Sequence, residues 1–221
     1  MSLDKEYLIE MGIDAEWYYS PHHKKINSYN LSTNDFFLFK ETVSNCQNCN
    51  LSETRTNVVF GGGDHNADIM FVGEAPGSEE DKLGIPFIGR AGKLLDEILF
   101  YLGVDRDKSF ITNTVKCRPP ENRNPKLNEI SKCKHHLLKQ INFINPKIIV
   151  LLGKVAANSI LQNATSMNDM RKKIHKDNDY DVPFFVLYHP AYLLRSPLQK
   201  KNLWEDLKIL ENYIKNGYST N

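Results

Sequence analysis

Apolar and polar positions along the 221-residue chain fall into two patterns, short apolar runs and longer amphipathic stripes. "ADIMFVG" (67–73), "SFITNTVKC" (109–117), "PKIIVLLG" (146–153) and "VPFFVLYHP" (182–190) each predict a strand. The unbroken run at 146–153 is the pattern of a parallel strand buried on both faces. Between them, "AGKLLDEILFYLG" (91–103) carries apolar residues at 94, 95, 98, 99 and 102, a helical stripe that stops at Gly103. "KLNEISKCKHHLLKQINFI" (126–144), with Pro125 near its start, "KVAANSIL" (154–161) and "LQKKNLWEDLKILENYIKN" (198–216) predict three more helices. Upstream, Asn34 or Thr33 can cap a helix through "DFFLFKETVSN" that delivers Cys46.

Four strands alternating with helices predict an α/β fold: three layers, α/β/α, around a central, mainly parallel four-stranded sheet. Residues 1–35 read as an N-terminal extension and 36–221 as the main domain. In the extension, Tyr7, Leu8, Met11 and Ile13 can form a short helix, followed by the polar "SPHHKKINSYN". Adjacent histidines rarely converge on one ion, so His22 and His23 read as a solvated loop.

Right-handed crossovers bring the loops after parallel strands to one edge, where ligands of such sheets bind. In that position the chain carries Gly73-Glu74-Ala75-Pro76-Gly77, then Asn113, Lys116 and Cys117, then Gly153-Lys154, then His189-Pro190. The chemically capable residues therefore gather at one edge. The first loop has neither the G-x-G-x-x-G spacing of a dinucleotide site nor the G-x-x-x-x-G-K-[ST] of a phosphate loop. Gly73 and Gly77 allow a close backbone approach. Glu74 is either a turn-capping acid or a group that works on a ligand. Phe87, after Pro86 in an expected exposed loop, either anchors that loop or stacks on a base. Lys116, Arg118, Arg123, Lys126, Arg195, Lys200 and Lys201 form a basic fringe that suits phosphates or is solvated surface. "RKKIH" (171–175) reads as a solvated turn before the last strand.

Composition adds limits. The net charge of +1 names no partner, and 41% hydrophobic residues is ordinary for a globular chain. Asp4, Glu6 and Glu10 occupy the place of a signal-peptide core, and no apolar run reaches the ~18–20 residues of a membrane span. A soluble, cytoplasmic, monomeric protein is expected, with no membrane contact. The four cysteines are Cys46, Cys49, Cys117 and Cys133. Cys46-Gln-Asn-Cys49 is a C-x-x-C, with the other two 68 and 84 residues beyond Cys49. In a reducing compartment these are not structural disulfides. A four-thiolate site would staple an N-terminal segment onto the folded body, and the spacing suits zinc or an iron–sulfur cluster. No H-x-E followed by P-C-x-x-C points to a nucleobase deaminase.

"VGEAPGSEED", "PFIGRAGKLLD", "TNTVKCRPPENRNP" and "YHPAYLLR" resemble the motifs of family 4 uracil-DNA glycosylases, the iron–sulfur members of the uracil-DNA glycosylase superfamily. The resemblance runs from about Glu41 to the C-terminus, so 36–221 would be the glycosylase-like domain. It implies uracil-containing DNA as substrate and hydrolysis of the N-glycosidic bond. It also implies that Cys46, Cys49, Cys117 and Cys133 ligate a [4Fe–4S] cluster. By the same resemblance, Glu74 and the backbone from Gly73 to Ala75 line the uracil pocket. Phe87 stacks on the flipped base and Asn113 reads the uracil edge. His189 donates toward O2, and Asn122 holds the attacking water. Glu80 shapes the pocket or assists the water. Ala75 stands where some members carry glycine. A covalently attaching branch of the superfamily uses a histidine in a basic loop, but "RKKIH" lies before the last strand and not after the Asn113 strand. The residues alone leave open a uracil-binding module without turnover, a zinc protein binding another nucleotide, and the charge state of His189.

Overall fold

The computed structural model describes residues 33–161, 166–177 and 180–219. The expected helix over Tyr7–Ile13 and the His22-His23 loop lie outside the described residues. Helix α1 (Thr33–Ser44) leads to the short α2 (Leu51–Thr54) and the two-residue strand β1 (Gly62–Gly63). Then follow β2 (Ile69–Gly73), α3 (Ser78–Leu83), α4 (Arg90–Leu102), β3 (Phe110–Asn113), α5 (Leu127–Ile144), β4 (Ile148–Leu152) and α6 (Lys154–Leu161). The chain closes with α7 (Met167–Met170), β5 (Ile174–Asp177), β6 (Tyr180–Leu187), α8 (Pro190–Arg195) and α9 (Lys200–Lys215).

The sheet has six strands in the order β1-β3-β2-β4-β6-β5. The inner four, β3-β2-β4-β6, are parallel, as the apolar runs predict. The sheet is not limited to those four: β1 and β5 add antiparallel edges. β5 also corrects the reading of "RKKIH" as a solvated turn, because Ile174 and His175 pair with Phe185 and Phe184. The expected strand 109–117 stops at Asn113, where the chain turns away to deliver Cys117.

Period-two alternation sorts the strand residues onto two faces. Met70, Val72, Ile149, Leu151, Phe184 and Val186 pack with α1, α5 and α6. Ile69, Phe71, Ile148, Val150, Phe185 and Leu187 pack with α4, α8 and α9. Every residue of β2 and β4 is buried. These are the three expected layers.

The connection from β2 to β3 runs one way and that from β3 to β4 crosses back over β2. The switch point therefore lies between the carboxyl ends of β2 and β4, the place where doubly wound sheets bind ligands. Parallel register sets Gly73 beside Asn113 there.

One buried ion pair braces the last layer. Arg171 donates from Nε and Nη2 to the two carboxylate oxygens of Asp206, at 2.6 and 3.0 Å. It also donates to Tyr188 Oη at 3.2 Å and to the Asn202 carbonyl at 2.8 Å, and its guanidinium lies over the Tyr188 ring. Burial pushes the Asp206 carboxyl up while Arg171 pulls it down. Removing one partner of such a pair strands a buried charge. Asp206→Ala is expected to lose about 3–5 kcal/mol of unfolding free energy in a urea melt. An unchanged midpoint would refute that role.

Candidate functional site

The switch point opens into a solvent-connected cleft of about 1790 Å³. Glu74, Ala75, Glu80, Phe87, Asn113, Asn122 and His189 all line it. Gly73 lies immediately behind, so the structure brings the expected pocket residues together.

The cleft is shaped by one crowded junction. A Cβ on Gly73 would stand 2.5 Å from Phe87 Cζ and closer still to Asn113 Oδ1. Only glycine lets the ring and the carboxamide meet at the end of β2. Phe87 is not exposed, as its loop position suggests, but 5% accessible and part of the α4-side core. It holds φ at 51°, an unfavourable backbone region for an aromatic residue. Several contacts lock that conformation. Arg106 Nη2 donates to the Pro86 and Phe87 carbonyls at 2.8 and 3.0 Å. Gly92 is without a Cβ where one would collide with the Phe87 carbonyl. Glu80 Oε1 accepts from the Ile88 and Gly89 amides at 3.0 and 2.9 Å, capping α4. Glu80 therefore shapes the loop that carries Phe87.

Asn113 is 1% exposed, and its Oδ1 accepts no hydrogen bond from the described residues. A buried acceptor left unpaired costs free energy unless a ligand satisfies it. The backbone around it is fixed: Thr114 N donates to Gly73 O at 2.9 Å, and Thr114 Oγ1 to Glu74 O at 2.5 Å. Burial raises the Glu74 carboxyl above its ordinary pKa, with Arg195 pulling the other way.

His189 caps α8. Its Nδ1 accepts from the Ala191 amide at 3.1 Å. In the neutral ring that assigns the proton to Nε2, leaving Nε2–H as the donor. Burial first, then the Arg195 charge, pushes the imidazole pKa down to about 4, against a pull from Glu80. The ring is thus neutral at physiological pH. It lies 5.9 Å from the Phe87 ring, centroid to centroid.

Asn122 follows Glu121 in a short 3-10 turn, and both hold positive φ, 54° and 56°. Arg118 Nε donates to Asn122 Oδ1 at 2.8 Å, so the carboxamide is oriented by a neighbouring cation.

A second, smaller cavity is lined by Cys46, Cys49, Cys117 and Cys133 together with Arg55, Lys116 and His136. All four thiols are free of disulfides. Arg55 Nη1 donates to Cys117 Sγ at 3.1 Å, and His136 Nε2 is 3.3 Å from Cys46 Sγ. Among the described residues no three His, Cys, Asp or Glu side chains converge closely enough to hold a single metal ion. Four thiols around one cavity are the kind of donor set that holds zinc or an iron–sulfur cluster.

Some site features carry no clear sequence signal. Arg55 and His136 reach the cysteines from distant segments, though His136 lies one helical turn from Cys133. Lys116, expected in the basic fringe, is 1% exposed. Arg195, Lys200, Lys201 and Lys126 are exposed as expected, and Arg195 and Arg123 line the cleft. No described helix is long and apolar enough to cross a membrane.

The sequence profile of the Uracil DNA glycosylase superfamily matches residues 60–208. A Type-4 uracil-DNA glycosylase of Sulfurisphaera tokodaii is 47% identical over 176 residues, covering 76% of this chain and 80% of the relative. One from Archaeoglobus fulgidus is 40% identical, covering 75% and 86%. One from Thermotoga maritima is 41% identical over 190 residues, covering 80% and 94%. With strand-end cleft, motif order and these matches in agreement, the chain belongs to the uracil-DNA glycosylase superfamily, alongside its type-4 members.

Proposed function

We infer that this chain is a uracil-DNA glycosylase, which hydrolyses the N-glycosidic bond of deoxyuridine in DNA and leaves an abasic site for base-excision repair. The observation that carries the reading is the unpaired, buried Asn113 Oδ1 beside the Phe87 ring. Uracil offers N3–H as donor and O4 as acceptor, the complement of a carboxamide. Cytosine offers the reverse and would leave buried polar groups unpaired, which is costly.

The target base is flipped from the duplex, or met in a single strand, and enters the cleft. Phe87 stacks on it, and the backbone from Gly73 to Ala75 lines its other edge. Cleavage of the C1′–N1 bond leaves positive charge on the sugar and negative charge on uracil. His189 donates its Nε2–H toward O2, where that negative charge develops, and so stabilises the transition state more than the ground state. Glu74, on the cleft wall, supports the sugar cation when ionised. Asn122 orients the water that adds at C1′, and Glu80 keeps the loop in shape. Lys154, Arg123 and Arg195 on the cleft wall suit the phosphates of the substrate strand.

Cys46, Cys49, Cys117 and Cys133 hold a [4Fe–4S] cluster in this reading. When bound, the cluster acts as a staple between the segment after α1, the loop after β3 and helix α5. Residues 36–221 form the catalytic domain and 1–35 an extension to it. The enzyme works as a cytoplasmic monomer on bacterial or archaeal DNA. A covalent histidine mechanism finds no support: His175 lies on β5, its Nε2 2.6 Å from the Met170 carbonyl.

The direct test is uracil release from a single-stranded, uracil-containing oligonucleotide. The wild type is expected to release uracil and His189→Ala to be slower by about 10²–10³-fold. Tight or covalent binding without release would refute the glycosylase. The low pKa of His189 adds a pH signature. kcat/KM is expected to stay level through pH 6.5 and to fall toward pH 4, where protonation of Nδ1 breaks the Ala191 cap. Stability begins to fall earlier, as pH drops from about 6.5 to about 4, because the unfolded histidine takes up its proton near the ordinary 6.5 and the folded one only near 4, while kcat/KM follows the folded ring. An inflection at 6.5 would refute the neutral assignment. For the cluster, anaerobically purified protein is expected to be brown with absorbance near 400 nm. Cys117→Ala is expected to lose colour, solubility and most activity, since Asn122 follows five residues later; a fully active colourless variant would refute the staple.

A further inference from the structure

The ammonium of Lys116 is buried between the cysteine-lined cavity and the base-reading strand end. Its Nζ donates to Thr112 Oγ1 at 2.8 Å, to the Asn113 carbonyl at 2.6 Å and to Gln140 Oε1 at 2.5 Å. All three acceptors are neutral. A buried cation with only neutral acceptors is expensive unless negative charge lies nearby. Lys116 lines the cavity of the four cysteines, whose thiolates are that charge once they ligate a centre. The network extends away from the cavity: Gln140 Nε2 donates to the Phe60 carbonyl at 2.7 Å, and Thr112 Oγ1 to the same carbonyl at 2.8 Å. Gln140 is fully buried and does not line the cysteine cavity. It stands on α5 on the same face as Cys133 and His136, at i+7 and i+4 from them.

We propose that Lys116 is a positioning residue that ties the cysteine-held centre to Asn113, so that the thiolate set draws the ammonium and the ammonium fixes the main chain of the residue whose carboxamide reads uracil. The base pocket and the cysteine cavity are then one unit joined through a single side chain. Lys116 touches neither substrate nor reacting atoms. Its effect falls on recognition of the base, through the Asn113 backbone, and on the charge balance of the centre. This rests on the reading of Asn113 as the uracil contact.

Two variants of the full-length holoprotein separate the halves of the link. Lys116→Met removes the charge that faces the cysteines and the hydrogen bond to Asn113. Gln140→Met loosens the lysine without touching the cysteine cavity. Free-uracil affinity, measured by product inhibition, is expected to fall about tenfold in both, the loss of one net hydrogen bond. KM rises in both by more than kcat falls. The absorbance near 400 nm is expected to bleach in air faster in Lys116→Met and at the wild-type rate in Gln140→Met. Wild-type uracil affinity in Gln140→Met overturns the proposal, as does wild-type bleaching of Lys116→Met. Should Lys116→Met fail to fold, the affinity of Gln140→Met decides alone. A wild type that neither releases nor binds uracil overturns the glycosylase reading, and this proposal with it.

Discussion

The end of β2 has no room for a side chain, and the arrangement of the cleft follows from that. At Gly73 two groups meet that a Cβ would keep apart, the Phe87 ring and the Asn113 carboxamide. Parallel pairing brings Asn113 to this place, because Gly73 and Asn113 are register partners. Nothing in the sheet brings Phe87. It arrives on a loop whose backbone is held at positive φ, and a strained conformation persists only when its surroundings over-determine it. Arg106, Glu80 and the missing side chain of Gly92 supply that determination from three directions. In its proposed role as a stacking platform, the ring would thus be held before any base arrives, leaving less ordering cost to be met on binding.

The same strand ends also govern the cysteines. β3 stops at Asn113, and the next four residues curl back so that Lys116 folds onto Thr112 and Asn113 while Cys117 turns toward α5. A longer β3 would carry Cys117 past the other thiols. The short strand is what allows one loop to border the cleft on one side and the thiol cavity on the other. Arg55 and Lys116 line that cavity, where they would complement the thiolates of the proposed cluster.

Much of this was legible in the residue pattern. The four inner strands and the long helices announce themselves because burial on both faces demands unbroken apolar runs and burial on one face demands a helical stripe. The edges do not. β1 is Gly62-Gly63, with no side chains to make a pattern, and β5 is Ile-His-Lys-Asp, whose charges read as a turn. Edge strands owe their place to backbone pairing with a neighbour, a fact held by the neighbour's sequence. The burial of Lys116 and of the Arg171–Asp206 pair was hidden for a related reason. Charged residues signal solvent unless their partners are known, and Gln140 and Asp206 lie 24 and 35 residues away. The candidate site residues were legible as motifs, but the enclosure of Phe87 and the tautomer of His189 are products of three-dimensional contacts.

The neutral imidazole fits the chemistry better than a charged one would. The cleft already carries Arg195, which disfavours a second cation beside it, and burial acts in the same direction. An imidazolium would also lose the Nδ1 cap on Ala191 and with it the anchor that aims the ring. A neutral donor binds neutral uracil little more strongly than water does. In the role proposed for His189, its hydrogen bond would strengthen as O2 gains charge, so its gain would be concentrated in the transition state. Holding that donor by a helix cap costs no reorganisation at the moment of bond cleavage, which is the condition for a preorganised electrostatic contribution. The residue pair His189-Pro190 thus does two things with one backbone turn: it ends β6 at the cleft and starts the helix whose first amides fix the tautomer.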